Sequence, residues 1–220
     1  MNAPHITLDR PWLVFDLGAP MRVLSWALNR PGFVTSQRII WREVRNADLP
    51  RGFDVRHWLK VELMERGETQ SVALLTSRNI ERFQTAEAKV GDAVCSVLAT
   101  VGLSNAERIG GREPVNTADY GTINVAVKLE NGLTQSGLIE ALSIATQART
   151  TAVLDAKIAV SSGAATGTGT DCIAIAAPFG DTDFTGLHTE VGEAVGRSVY
   201  DAVHQGTLEW KKEQGRGTYA

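Results

Sequence analysis

Two kinds of periodicity divide the chain. Short runs of apolar, β-branched and aromatic residues dominate the first half, and helical spacing governs the longest stretches of the second. Residues 12–17 and 22–28 are apolar runs split by Gly18-Ala19-Pro20, a short connection that predicts a hairpin. Residues 34–44 are β-branched and aromatic and predict a third strand. Val55, Leu59 and Leu63 recur every four residues behind Asp54, which predicts a helix over 55–66 with Asp54 as its N-cap. A short buried strand over 72–75 and a helix over 80–90 complete the first half. AVCSVLATV (93–101) is apolar on both faces and reads as a central strand. A polar, glycine-rich stretch (102–121) separates it from a further strand, TINVAVKL (122–129). Asn131-Gly132 turns the chain into a long helix over 134–156, with Leu138, Leu142, Ala145, Ala148 and Ala152 on one side. A Gly/Thr loop (162–170), the strand DCIAIAA (171–177) and a long helix over 188–213 follow, the last with an apolar stripe through Val191, Val195, Val199 and Val203. Residues 215–220 read as a frayed tail.

Strands interleaved with long helices, beginning with a hairpin, predict an α+β domain in which helices pack on a mixed sheet. Glycine and proline are spread as turn punctuation and form no linker, so residues 1–220 read as one domain. A chain of 220 residues can bury a sizeable core without staples. Lys and Arg number 22 against 25 Asp and Glu, which disfavours a general nucleic-acid binder. No apolar run is long enough to cross a bilayer, and the N-terminus lacks the pattern of a secretory signal. The expectation is a cytoplasmic protein that engages neither nucleic acid nor membrane. Its two cysteines, Cys95 and Cys172, sit in apolar runs and read as buried free thiols.

Three polar segments adjoin the best buried elements. In TVGLSNAERIG (100–110) a strand runs into Gly102 and then Ser104-Asn105. Such a turn either caps the next helical turn or aims a hydroxyl, an amide and backbone N–H groups at one spot. GAATGTGTD (163–171) presents glycines and threonines before a strand. It lacks the Gly-Lys-Ser/Thr ending of a phosphate loop and opens no helix, which disfavours nucleotide binding. It is either a connector or a site built around Thr168, Thr170 and Asp171. In TGLHTEVGEAVGRSVY (185–200) His188 and Glu190 stand at a helix start, while Glu193, Arg197 and Asp201 form a solvated, ion-paired face. The His-x-Glu-x-x-Glu spacing matches no zinc pattern, so no protein-held metal is expected. Gly192 and Gly196 leave a flat strip for close contact with another element or with a second copy, the latter predicting a homodimer. Asn124 interrupts an apolar strand and either bonds a neighbour or faces a site.

Together these segments resemble the adenosylcobinamide amidohydrolase family, CbiZ. The resemblance rests on TVGLSNAERIG (100–110), GTIN (121–124), ATGTGTDCIAIAA (165–177) and GLHTEVGEAVGRSVYDAV (186–203), with weaker echoes in VLSWALN (23–29), Gly32 and LLT (74–76). Order and spacing agree from about residue 22 to residue 203. The chain departs from the family pattern at TQAR (146–149), where relatives tend to carry Thr-Glu-Ala-Lys, so Gln147 replaces a carboxylate and Arg149 a lysine.

The resemblance implies hydrolysis of the amide that joins a corrin propionate side chain to aminopropanol, with a corrinoid as the partner molecule. Cobalt then belongs to the substrate, and no protein cofactor is implied. Amide hydrolysis needs a nucleophile, oxyanion donors and a proton donor for the leaving amine. Asp171, His188 and Glu190 are the candidates for moving protons. Ser104, Asn105, Asn124, Thr168 and Thr170 are the candidates for holding substrate, with Thr168 or Thr170 as an alternative nucleophile to water. A corrinoid-binding protein without catalysis is the competing reading, which the TQAR departure sustains.

Overall fold

The structure is a computed structural model that describes residues 4–45, 48–49, 52–111 and 121–216. Its centre is an eight-stranded mixed sheet. In chain order the strands of that sheet are β1 (His5–Asp9), β2 (Trp12–Ser25), β3 (Gly32–Glu43), β4 (Val72–Thr76), β5 (Gln84–Val90), β6 (Ala93–Val101), β8 (Ile123–Leu129) and β12 (Cys172–Ala177). Two-residue strands β7 (Ala106–Glu107), β9 (Ala159–Val160), β10 (Gly163–Ala164) and β11 (Gly167–Thr168) form two small ribbons, β7 with β11 and β9 with β10. The helices are α1 (Val55–Arg66), α2 (Gln135–Asp155) and α3 (Glu190–Arg216). The spatial order is β4-β3-β2-β12-β8-β6-β5, with β1 added beside β2. Pairs β3–β4 and β8–β12 are parallel, and the remaining neighbours are antiparallel. The α+β class holds.

Several elements lie where the periodicity puts them. Asp54 caps α1 by accepting from the His57 N–H, and Thr134 caps α2 by accepting from Gly137. β6 and β8 are buried on both faces because helices cover one face and the rest of the sheet covers the other. The cysteines are free and buried.

Two expectations fail. Residues 12–17 and 22–28 do not form a hairpin: 12–17 and 22–25 belong to the single long strand β2, whose register against β3 slips between Asp16 and Met21, and 26–28 follow outside the strand. The Gly18-Ala19-Pro20 stretch is a bulge, with Gly18 at φ 83° and its N–H on Asp16 Oδ1. The bulge divides the labour of β2, whose first half pairs with β1 and whose second half pairs with β12. The helix predicted over 80–90 is a 3-10 turn at Ile80–Arg82 followed by strand β5. Its Ala, Glu and Lys residues favour a helix, but pairing with β6 overrides that preference, and the burial alternates with period two. The tail expected at 215–220 is helical through Arg216, and residues 217–220 lie outside the described residues.

The sheet is strongly curled. β3 and β6 are four places apart, about 19 Å in a flat sheet. Yet the Trp41 indole N–H on β3 donates to Thr100 Oγ1 on β6 at 3.1 Å. Likewise Asn124 on β8 reaches the Leu75 carbonyl on β4 at 2.7 Å, across the same four places. The β2–β3–β4 half therefore folds over the β12–β8–β6 half. One apolar cluster fills the inside of the curl, with Leu13, Phe15, Ile39 and Trp41 against Leu98, Ala126 and Ala174. α2 and α3 pack on the outside of β6, β8 and β12. α1 packs Leu59 and Leu63 on Trp12, Val14 and Ile40.

Candidate active site

The mouth of the curl lies at the C-terminal end of β6 and the N-terminal ends of β8 and β12. Three of the four quoted segments meet there. The turn after β6 approaches Gly121 so closely that a Cβ there would stand 2.7 Å from Asn105 Oδ1 and Ser104 N. Only glycine lets the two segments touch. The hydroxyl of Thr170 donates to the Gly121 carbonyl (2.9 Å), and that of Thr122 donates to the Thr170 carbonyl (3.0 Å).

Asp171 is the centre of this arrangement. Its side chain is 6% exposed. Oδ1 accepts from Thr168 Oγ1 (2.5 Å) and from the Ile123 N–H (2.9 Å). Oδ2 accepts from Arg149 Nη1 (2.6 Å) and from the Thr168 N–H (3.0 Å). The Asp171 carbonyl accepts the indole N–H of Trp26 at 2.7 Å. A carboxylate this enclosed stays charged only with such donors around it. Gly167 makes the geometry possible, because a Cβ there would lie 1.9 Å from Arg149 Nη1 and 2.5 Å from Asp171 Oδ2. With two donors on each oxygen, Asp171 has no vacant lone pair for an incoming water.

The loop of residues 167–171 is a wall between two hollows. On the inside of the curl a cavity of about 480 Å³ is walled by Trp26, Leu28, Val44, Val55 and Leu75 and ends in Thr122, Asn124, Thr170 and Asp171. It is apolar with one polar end, the usual character of a small-molecule site. On the outside a hollow of about 430 Å³ is lined by Arg108, Arg149, Thr150, Thr166 and Thr168. Cys172 borders the inner cavity, and its thiol is pushed up to about 12 by burial. Cys95 is pushed up to about 12 for the same reason.

Of the residues singled out from the sequence, Asp171, Thr168, Thr170 and Asn124 therefore come together. Ser104 and Asn105 stand beside them against Gly121 without lining the inner cavity. His188 and Glu190 do not join them. His188 is exposed and lines a third hollow with Glu140, Ser143, Gln147, Phe184 and Leu187, which shares no lining residue with the other two. Glu190 accepts from the Asp92 N–H (3.1 Å) and seats its carboxylate against Gly91, pinning α3 to the β5–β6 turn. That turn is at the opposite end of β8 from Ile123, about 20 Å away along the strand. The structure therefore does not bring these two proton-transfer candidates to Asp171: the start of α3 is tied to the β5–β6 turn, at the far end of the sheet from the 167–171 loop. The glycine strip of α3 is also consumed within the chain. A Cβ at Gly192 would stand 2.1 Å from the Gly186 carbonyl, and one at Gly196 would touch Ile144 of α2. The expected homodimer loses the feature that suggested it. Glu193 and Arg197 do form an exposed ion pair, at 2.5 Å.

A family profile described as adenosylcobinamide amidohydrolase, CbiZ, matches residues 2–215. The chain belongs to this family. An uncharacterised protein of Methanocaldococcus jannaschii is 27% identical over 166 residues, which span 65% of this chain and 65% of that protein. A crystal structure of a protein from Pyrococcus horikoshii OT3 aligns over 90% of this chain and 77% of its own, with 10% identity and a TM-score of 0.46. In this CbiZ chain the TQAR departure falls in two places. Gln147 is exposed and bonds Ser143, away from Asp171, whereas Arg149 supplies the cation that holds Asp171. Nothing in the sequence distinguishes Trp26 from the other four tryptophans as a neighbour of Asp171. Its proximity to Asp171 arises only from the β2–β12 pairing. Among the described residues no group of three or more His, Cys, Asp or Glu side chains is placed to hold a metal, and no helix is long and apolar enough to cross a membrane.

Proposed function

We propose that the chain hydrolyses the amide joining the corrin propionate side chain to aminopropanol in adenosylcobinamide, giving adenosylcobyric acid and (R)-1-amino-2-propanol. The reaction serves corrinoid salvage in the cytoplasm, and the cobalt belongs to the substrate. The observation that carries this reading is the meeting of three family segments around Asp171 and Gly121 at the polar end of an apolar cavity. Thr168, on the wall between the two hollows with its hydroxyl on Asp171, is the nucleophile in this reading. Its Oγ1 attacks the amide carbon as its proton moves along the existing hydrogen bond to Asp171 Oδ1. Asp171 returns that proton to the departing amine nitrogen, and water then cleaves the Thr168 ester. The backbone N–H of Gly169, in the stretch of the loop that lines the inner cavity, supplies the oxyanion donor. Arg149 holds the carboxylate in place.

The test is incubation of the purified protein with adenosylcobinamide, with mass-spectrometric detection of aminopropanol and of the ring product. Release of both supports the reading. A second reading, corrinoid binding without cleavage, draws on the complete set of donors around Asp171. It is the outcome if the corrinoid is retained on the protein and no aminopropanol appears.

A further inference from the structure

Trp26 is 47% exposed, whereas Trp12 and Trp41 are buried in the core. Its ring forms part of the wall of the inner cavity. It is also held at two points: its indole N–H is bonded to the Asp171 carbonyl at 2.7 Å, and its main chain follows directly on Ser25, which is paired with Ala174 of β12. A half-exposed indole on a surface needs no explanation, but one clamped at both its main chain and its ring is pre-ordered for contact. The cavity of about 480 Å³ is the size that encloses a drug-sized ligand. A corrin macrocycle with its amide side chains is larger than that. The macrocycle must lie across the mouth while one side chain enters toward Thr170 and Asp171.

From this geometry we infer that Trp26 is the platform on which the corrin macrocycle lies, and that it makes the site selective for a ring-bearing amide. This rests on the proposed corrinoid substrate and adds the residue that recognises the ring. The indole offers a flat, apolar face already fixed in orientation, so little side-chain freedom is lost on binding. Leu28 and Leu75 flank it in the wall and extend the apolar surface. The bond from the indole to Asp171 keeps the platform in register with the reacting end of the site.

The experiment measures corrinoid binding by equilibrium dialysis, read from corrin absorbance, for wild type, Trp26→Phe and Trp26→Ala, each also carrying Thr168→Val where adenosylcobinamide is the probe so that it stays intact. The probes are adenosylcobinamide and cobyric acid, which keeps the ring and lacks the aminopropanol arm. Thermal melts of each variant verify the fold. Trp26→Ala is expected to weaken both probes by a similar factor of about ten, and Trp26→Phe by no more than about threefold. Unchanged binding in Trp26→Ala overturns the inference. So does weakening of adenosylcobinamide alone, because Trp26 would then act on the arm through Asp171. Wild-type binding without cleavage removes the proposed reaction and leaves this inference to be decided by the variants. Absence of binding by the wild type overturns both.

Discussion

Asp171 is a scaffold for three parts of the fold, and in the proposed reaction it is also the proton carrier. Its carboxylate joins β8 through Ile123, α2 through Arg149 and its own loop through Thr168. Asp171→Asn replaces one acceptor oxygen with a donor and leaves Arg149 without its ion partner. Loss of a buried partner costs about 3 kcal/mol, read by denaturant unfolding, and amide cleavage should fall by about 100-fold or more. Thr168→Val keeps the backbone bond and removes one donor from the buried carboxylate, so cleavage should be lost at a stability cost of about 1–3 kcal/mol, with Arg149 still in place. His188 lines a different hollow, and His188→Ala should keep turnover within about threefold of wild type. A collapse of turnover in that variant would move the reaction to the hollow beside Gln147. Asp171 and the Thr168 pairing were legible as residue types at a loop–strand junction. The donor set was not, because two of its members lie 22 and 48 positions away in sequence.

At the scale of elements, the glycines of the quoted segments have separate geometric duties. Gly167 admits the Arg149 guanidinium beside Asp171, and Gly121 admits the Ser104-Asn105 turn. Gly167→Ala should displace Arg149 and lower both stability and activity, whereas Gly215→Ala, with nothing near it, should be silent in a thermal melt. Asp54→Ala should cost about 1 kcal/mol through the lost cap on α1, without touching activity. Helical spacing made α1, α2 and α3 readable, because a buried stripe recurs over several turns. It misled at β5, where Ala, Glu and Lys carry helix preference and only the partner strand decides. It misled again at β2, where Gly18-Ala19-Pro20 suits a bulge as well as a turn.

For the whole molecule, the deciding feature is the curl that brings β4 over β8. Without it, Leu75 and Asn124 would be about 19 Å apart and the inner cavity would not exist. Trp41→Phe removes the bond across the curl and leaves the Thr100 hydroxyl buried without that partner, which should cost about 1–2 kcal/mol in denaturant unfolding. The thiols predict a pH dependence of stability. Cys95 and Cys172 rise from an ordinary value of 9.0 to about 12 on burial, so the unfolded chain loses these protons first. Stability is therefore full below pH 9 and declines as the pH rises from 9 toward 12. Cys95→Ala should flatten that decline, and thiol reagents should leave both cysteines untouched in the folded protein at pH 8. By itself the amino-acid sequence determined the α+β class, the helices and most strands, because periodicity and capping act over neighbouring residues. It also marked the polar loops that carry the family likeness. Only the tertiary structure decided which loops share a site. That choice depends on strand order and sheet curvature, which are set by packing between residues far apart in the chain. The same packing put Trp26 against Asp171 and carried His188 and Glu190 elsewhere.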